Sequence, residues 1–283
     1  MIARGSIGAW WDDPRVDPTV LLIGGFLTSP PLYGRTRERL FRRGAAHVIV
    51  ANIWTPDWLL IPWRGHGPIS TRAARSLIAA GEVARSSPRS KGAPLLVIGH
   101  SAGGVTARIL TSPVPFAGRR FGGSERIGAI VTLGSPHRLA AGRANAAVAA
   151  QFAAEHVPGA FFAPRTGYLT VASRAEPGRR LGSPRERWLW RAYARAIGPG
   201  ASDEIEGDGL VPVGSAILDD AGQIVLADIH HGQSARLPWY GSDEGLDGWW
   251  GAALETWRTA LDVRRSAPGE PGDRARDRPG ARE

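Results

Sequence analysis

Short, largely apolar runs recur along this chain, each separated from the next by a stretch long enough for a helix. They are Pro18–Ile23, His47–Ile53, Pro94–Ile98, Ile127–Leu133, Tyr168–Ala172 and Gln223–Leu226. A strand that is apolar on both faces must be covered on both faces, which favours a parallel sheet between helical layers over a sandwich with one wet side. The intervening stretches Pro31–Arg43, Ser70–Arg85, Ala102 to about Leu110, about Ala140 to Glu155, and Leu246–Val263 carry apolar residues at helical spacing, and Ser70 offers a cap. The expectation is an α/β chain with a mostly parallel central sheet flanked by helices. No internal repeat is apparent.

Composition narrows the chemistry. The 283 residues include no cysteine, which removes thiol nucleophiles, cysteine-zinc sites and disulfide frameworks together. A hydrophobic share of 43% against 22% charged suits a chain that buries its own core. The first residues lack a basic start followed by an apolar run, and the longest apolar runs, such as Thr19–Ile23 and Pro94–Ile98, are too short to cross a bilayer. A cytoplasmic protein without a transmembrane segment is expected. The formal charge of +9 comes from scattered arginines without a nucleic-acid-binding module, so no nucleic-acid partner is expected. From Arg264 the composition turns to Arg, Asp, Glu, Pro and Gly, which reads as a disordered tail over 264–283 after a folded domain over 1–263.

One motif stands in a setting that gives it chemical meaning. Gly99-His100-Ser101-Ala102-Gly103 directly follows the apolar run Pro94–Ile98 and precedes a helix-compatible stretch. A G-x-S-x-G sequence between strand and helix forms a tight turn that lifts the serine out of the sheet. Glycines two residues to either side relieve crowding against neighbouring elements. The helix that follows directs its first amides at the serine, where a developing oxyanion would be stabilised. Ser101 is therefore the candidate nucleophile.

Together with Ile23-Gly24-Gly25-Phe26, Leu133-Gly134-Ser135-Pro136-His137 and Gly207-Asp208-Gly209-Leu210-Val211-Pro212, this motif resembles the lipase-like serine esterases of the α/β-hydrolase fold. The matching pieces run in that family's order over about residues 18 to 240. The resemblance implies a serine hydrolase cleaving carboxylic esters through an acyl-enzyme, with small cap or lid insertions and no cofactor or metal. It places the oxyanion-hole amides at Phe26 and Ala102, with Gly24 standing where many lipases carry histidine. It also implies a triad in the order serine, acid, histidine. Of seven histidines, His47, His66 and His100 precede or adjoin the serine too early, and His137 and His156 lack a suitable acid before them. That leaves His230 and His231. The family pattern around the last strand favours His231 and places the acid at Asp208, with Glu176 as the alternative. The Leu133–His137 segment reads as support under the pocket.

The substrate side is less constrained. Trp54, Trp58 and Trp63 concentrate in a Pro-bounded stretch, where they could form an acyl-binding wall or pack a buried loop. Segments 54–67 and 177–206 are the candidate lids. A small-molecule or lipid ester is the expected substrate. A thioesterase or acyltransferase on the same triad, or a non-catalytic binding protein of the same fold, are the competing readings.

Overall fold

A computed structural model describes residues 10–140, 145–234 and 236–266. In chain order the elements are β1 (Thr19–Ile23), α1 (Gly34–Arg42), β2 (His47–Val50), α2 (Thr55–Leu59), α3 (Ile61–Arg64), α4 (Gly67–Ser86), β3 (Leu95–His100), α5 (Ala102–Thr111) and β4 (Ile127–Leu133). They continue with α6 (Asn145–His156), β5 (Gly167–Ser173), β6 (Gly178–Arg179), α7 (Pro184–Ile197), β7 (Glu204–Ile205), α8 (Val213–Ala216), β8 (Gly222–Leu226) and α9 (Asp243–Ser266).

Six strands form one sheet in the order β2-β1-β3-β4-β5-β8, and every neighbouring pair is parallel. Side chains alternate across a strand, and the burial follows that alternation. Val20, Leu22, Leu96 and Ile98 pack with Leu40, Trp249 and Trp257 on the side of α1 and α9. Leu21, Ile23, Leu95 and Val97 pack with Ile69, Leu77, Ala107 and Leu110 on the side of α4 and α5. Both faces of β1, β3 and β4 are dry, as their continuous apolar runs require, whereas the edge strands β2 and β8 are only partly buried.

The chain moves from β1 outward to β2, then returns to the other side of β1 to lay down β3, β4, β5 and β8. Between β1 and β3 the winding therefore reverses, and the connections leaving their C-terminal ends diverge. That crevice is where an open α/β sheet offers room for a ligand.

Several boundaries differ from expectation for local reasons. Helix α4 begins at Gly67 rather than Ser70 because Pro68 fills an early helical position where its missing N–H costs nothing. Helix α9 begins at Asp243, with Asp243 and Glu244 in its first turn complementing the helix dipole. It ends at Ser266, beyond the expected boundary at 263. There Arg264 donates to the backbone carbonyls of Ser124, Glu125, Ile127 and Arg165 and so belongs to the fold. The rest of the expected tail, 267–283, lies outside the described residues, as do 141–144 at the start of the Ala-rich helix. Segment 177–206 contains α7, which sequence periodicity did not single out. Ser183 and Glu186 form a reciprocal capping box at its start, and β6 pairs antiparallel with β7 to close the excursion. No helix among the described residues is long and apolar enough to cross a membrane.

Candidate active site

Ser101 sits between β3 and α5 with φ 54° and ψ −128°, a region that residues with side chains rarely occupy. The strain is held by contacts that leave no alternative. Its N–H donates to the Leu133 carbonyl at 2.9 Å, fixing the turn to the neighbouring strand. A Cβ on Gly103 would collide with the Ile23 carbonyl oxygen, and one on Gly99 would collide with the Gly104 backbone. The flanking glycines thus permit β1, β3 and α5 to close on one another around the serine. Backbone strain of this kind persists where the surroundings over-determine it.

Three side chains from distant parts of the chain converge on that turn. His231 Nε2 lies 3.0 Å from Ser101 Oγ, and His231 Nδ1 lies 2.8 Å from Asp208 Oδ2. Asp208 and Ser101 are buried, and His231 is at the margin of exposure at 9%. Asp208 extends from the loop after β7. Its Oδ1 accepts the N–H groups of Leu210 at 3.0 Å and Val211 at 2.8 Å, and its backbone carbonyl accepts the N–H of His231 at 2.9 Å. Tyr240, buried just before α9, donates its hydroxyl to Asp208 Oδ2 at 3.0 Å. Burial, and then the charge of Asp208, raise the Tyr240 phenol well above its ordinary value, so it remains a donor. Both carboxylate oxygens are consequently saturated with donors.

His230 turns the other way, as neighbouring residues on an extended segment do. Its Nδ1 lies 3.0 Å from Glu176 Oε1, and Arg185 Nε donates to Glu176 Oε2 at 2.8 Å. Glu176 thus pairs with His230 and Arg185, while Asp208 is the carboxylate facing His231. The Leu133–His137 turn lies directly beneath. Gly134, at φ 53°, passes so close that a Cβ there would stand 2.5 Å from Asp208 Oδ2 and 3.1 Å from His231 Nδ1. His137 contacts Thr132 Oγ1 and Arg108 away from Ser101.

A cavity of about 280 Å³ opens on Ser101 and His231. Phe26, Leu32, Tyr33, Leu210 and Trp239 supply most of its apolar wall. None of the three tryptophans anticipated for that wall lines it. Trp58 is 1% exposed in the core and touches the site only through an edge contact with Phe26, ring centroids 5.9 Å apart. Trp54 lines a separate surface groove with Pro30, Pro31 and Arg37. Trp63 is 80% exposed on α3. The tryptophan that does reach the cavity, Trp239, lies beside Tyr240 in a turn whose sequence carries no local signature. Tyr33 and Tyr240 carry no local signature either, because only tertiary folding brings them to the site; His100 adjoins Ser101 within the motif, but its partners, Tyr33 and the His231 carbonyl, are set by the tertiary structure. Among the described residues no group of three or more His, Asp or Glu converges as a metal site.

No protein-family model matches this chain, and no curated protein matches it. Similar solved structures include a dienelactone hydrolase from Anabaena variabilis, 14% identical over 87% of each chain with a TM-score of 0.41. A thermophilic esterase from Thermogutta terrifontis is 14% identical over 91% of this chain and 86% of its own, with a TM-score of 0.46. A dienelactone hydrolase-like promiscuous phosphotriesterase from metagenomic libraries is 14% identical over 87% of each chain, with a TM-score of 0.39. A parallel sheet that reverses its winding beside β3, and a strained serine turn between that strand and its helix, give this chain the α/β-hydrolase fold.

Proposed function

We propose that the chain is a serine hydrolase acting on carboxylic esters, with Ser101 as nucleophile, His231 as general base and Asp208 as its orienting acid. The observation that carries this reading is the unbroken path from Asp208 through His231 to Ser101, which ends on a serine held at left-handed backbone angles. Asp208 holds the His231 Nδ1 proton, so Nε2 presents its lone pair to the serine hydroxyl. Attack of Ser101 Oγ on the ester carbonyl forms the new C–O bond as its proton passes to Nε2. Collapse of the tetrahedral intermediate breaks the bond to the alcohol, which takes that proton. Water, deprotonated by His231, then attacks the acyl-enzyme; the acyl C–Oγ bond breaks, Nε2 returns the proton to Ser101 Oγ, and the acid leaves.

The oxyanion would be held by the backbone amides of Phe26 and Ala102. Ala102 opens α5, so its N–H is one of the amides a helix leaves without an internal partner. Gly25 spends its own N–H on Tyr33 Oη at 2.9 Å, which leaves the next amide, that of Phe26, for substrate. The wall of Phe26, Leu32, Leu210 and Trp239 suits an uncharged acyl group, and 280 Å³ is small for a ligand pocket, favouring short chains.

Labelling with a fluorophosphonate and turnover of p-nitrophenyl acetate test the reading. The adduct should map to Ser101, and Ser101→Ala should lose both the label and about 10⁴-fold or more in kcat. An adduct on another serine, or near-normal turnover in Ser101→Ala, refutes the assignment.

A further inference from the structure

His100 precedes the nucleophile in the G-x-S-x-G turn, and the mechanism above gives it no part. It is buried, and its ring lies among those of Tyr33, His231, Trp239 and Tyr240, with centroids 5.0 to 6.2 Å away. Both of its nitrogens are engaged. Nε2 lies 2.9 Å from the backbone carbonyl oxygen of His231, and Nδ1 lies 2.9 Å from Tyr33 Oη.

The partners dictate the proton positions. A carbonyl oxygen only accepts, so His100 Nε2 carries a hydrogen. Burial, and secondarily the neighbouring His231, push the His100 imidazole down to about 3, so the ring is neutral and Nδ1 is an acceptor. The Tyr33 hydroxyl therefore donates to Nδ1. Thr28 Oγ1, the other acceptor near that hydroxyl, is 3.4 Å away and loses the competition. Tyr33 Oη in turn accepts the Gly25 N–H at 2.9 Å. Burial also raises the Tyr33 phenol, so its proton is retained.

The result is one directed chain: Gly25 N–H to Tyr33 O–H to His100 Nδ1, and His100 Nε2–H to the carbonyl of His231. One end is the residue before Phe26, whose amide is assigned to the oxyanion. The other end is the backbone of the residue assigned as base. We infer that Tyr33 and His100 are positioning residues that hold the oxyanion-side loop after β1 and the His231 segment in mutual register around Ser101. The inference rests on the esterase reading above. Two halves of the machinery that share no covalent neighbourhood are thereby coupled through a side chain of the nucleophile turn itself. A misplacement of about 1 Å at either half costs on the order of 10²-fold in rate.

The experiment compares Tyr33→Phe, His100→Leu, His100→Gln and the double variant Tyr33→Phe/His100→Leu, with p-nitrophenyl acetate as substrate and active sites counted by fluorophosphonate label. Tyr33→Phe removes one hydroxyl and keeps the ring, so it is the variant least disposed to unfold. Its kcat per labelled site should fall about 10- to 100-fold, with KM changed less than about threefold. His100→Leu should fall similarly, and His100→Gln, which restores a donor toward the His231 carbonyl, should recover most of the loss. The double variant should lose no more than about threefold beyond the worse single one, because either substitution breaks the same chain. A Tyr33→Phe protein with kcat per site within about twofold of the parent, whatever its melting temperature, overturns the inference and leaves the esterase reading standing. Fully multiplicative losses in the double variant also overturn it. A parent chain that takes no label overturns both.

Discussion

Replacing Asp208 by Asn tests the site at its most constrained atom pair. Asp208 accepts at every position it has: two backbone N–H groups on Oδ1, and Tyr240 and His231 on Oδ2. An asparagine of the same shape must place an NH₂ on one side. On the Oδ1 side it would oppose the amides of Leu210 and Val211, two fixed backbone donors that cannot turn away. The NH₂ therefore goes to the Oδ2 side. There the Tyr240 hydroxyl can rotate to accept, but His231 Nδ1 can meet an N–H only by giving up its own hydrogen. The imidazole proton then resides on Nε2, facing Ser101 Oγ, and the base has no lone pair to offer. The wrong tautomer costs about 10⁴ in kcat, which corresponds to about 5.5 kcal/mol of transition-state stabilisation. Stability should fall by a smaller amount, about 1.5–3 kcal/mol for a weakened charged hydrogen bond. Pre-steady-state release of p-nitrophenol reads the acylation step directly, and a urea titration reads the fold. Glu176→Gln serves as the control, since that carboxylate pairs with His230 and Arg185. Asp208→Asn activity above about a tenth of the parent, or an equal loss in Glu176→Gln, would refute the reasoning.

The remaining expectations concern the neighbouring histidine, the response to acid and the tryptophans. His231→Ala should match Ser101→Ala in turnover of p-nitrophenyl acetate while His230→Ala keeps most activity; the reverse ranking would move the base to His230. Burial lowers the imidazoles of His66 to about 4 and His100 to about 3, and holds His137 well below its ordinary value. These groups are neutral when folded but take a proton near pH 6.5 once unfolded, so their stabilisation is complete above that pH and is lost as pH falls toward about 4 for His66 and about 3 for His100. His66 and His100 together should cost about 4 kcal/mol at pH 5, and a urea midpoint unchanged between pH 7.5 and 5 would contradict this. Trp58→Ala should lower stability by about 3–5 kcal/mol by opening a core cavity, whereas Trp63→Ser should stay within about 0.5 kcal/mol; equal melting temperatures for the two would dispute their placement.

What the amino-acid sequence determined by itself is whatever local rules enforce. Apolar runs such as Leu95–Ile98 announce buried strands because both faces lack polar groups, and the Gly99–Gly103 spacing announces a tight turn because no side chain fits at its flanks. Tertiary structure decided everything that depends on which surfaces meet. Only the family resemblance favours His231 over His230 in the sequence; the backbone bond from His231 N–H to Asp208 and the alternation of an extended segment decide which ring faces Ser101. Composition made Trp54, Trp58 and Trp63 attractive as a pocket wall, yet aromatic residues bury wherever a neighbouring layer offers them area, and that layer took Trp58 into the core and left Trp63 in solvent. Tyr33, the motif residue His100 and the adjacent pair Trp239 and Tyr240 lie in three separated parts of the sequence, and nothing local announces that their rings pack together. They meet only because the reversal of strand order between β1 and β3 brings the chain's divergent connections to one end of the sheet.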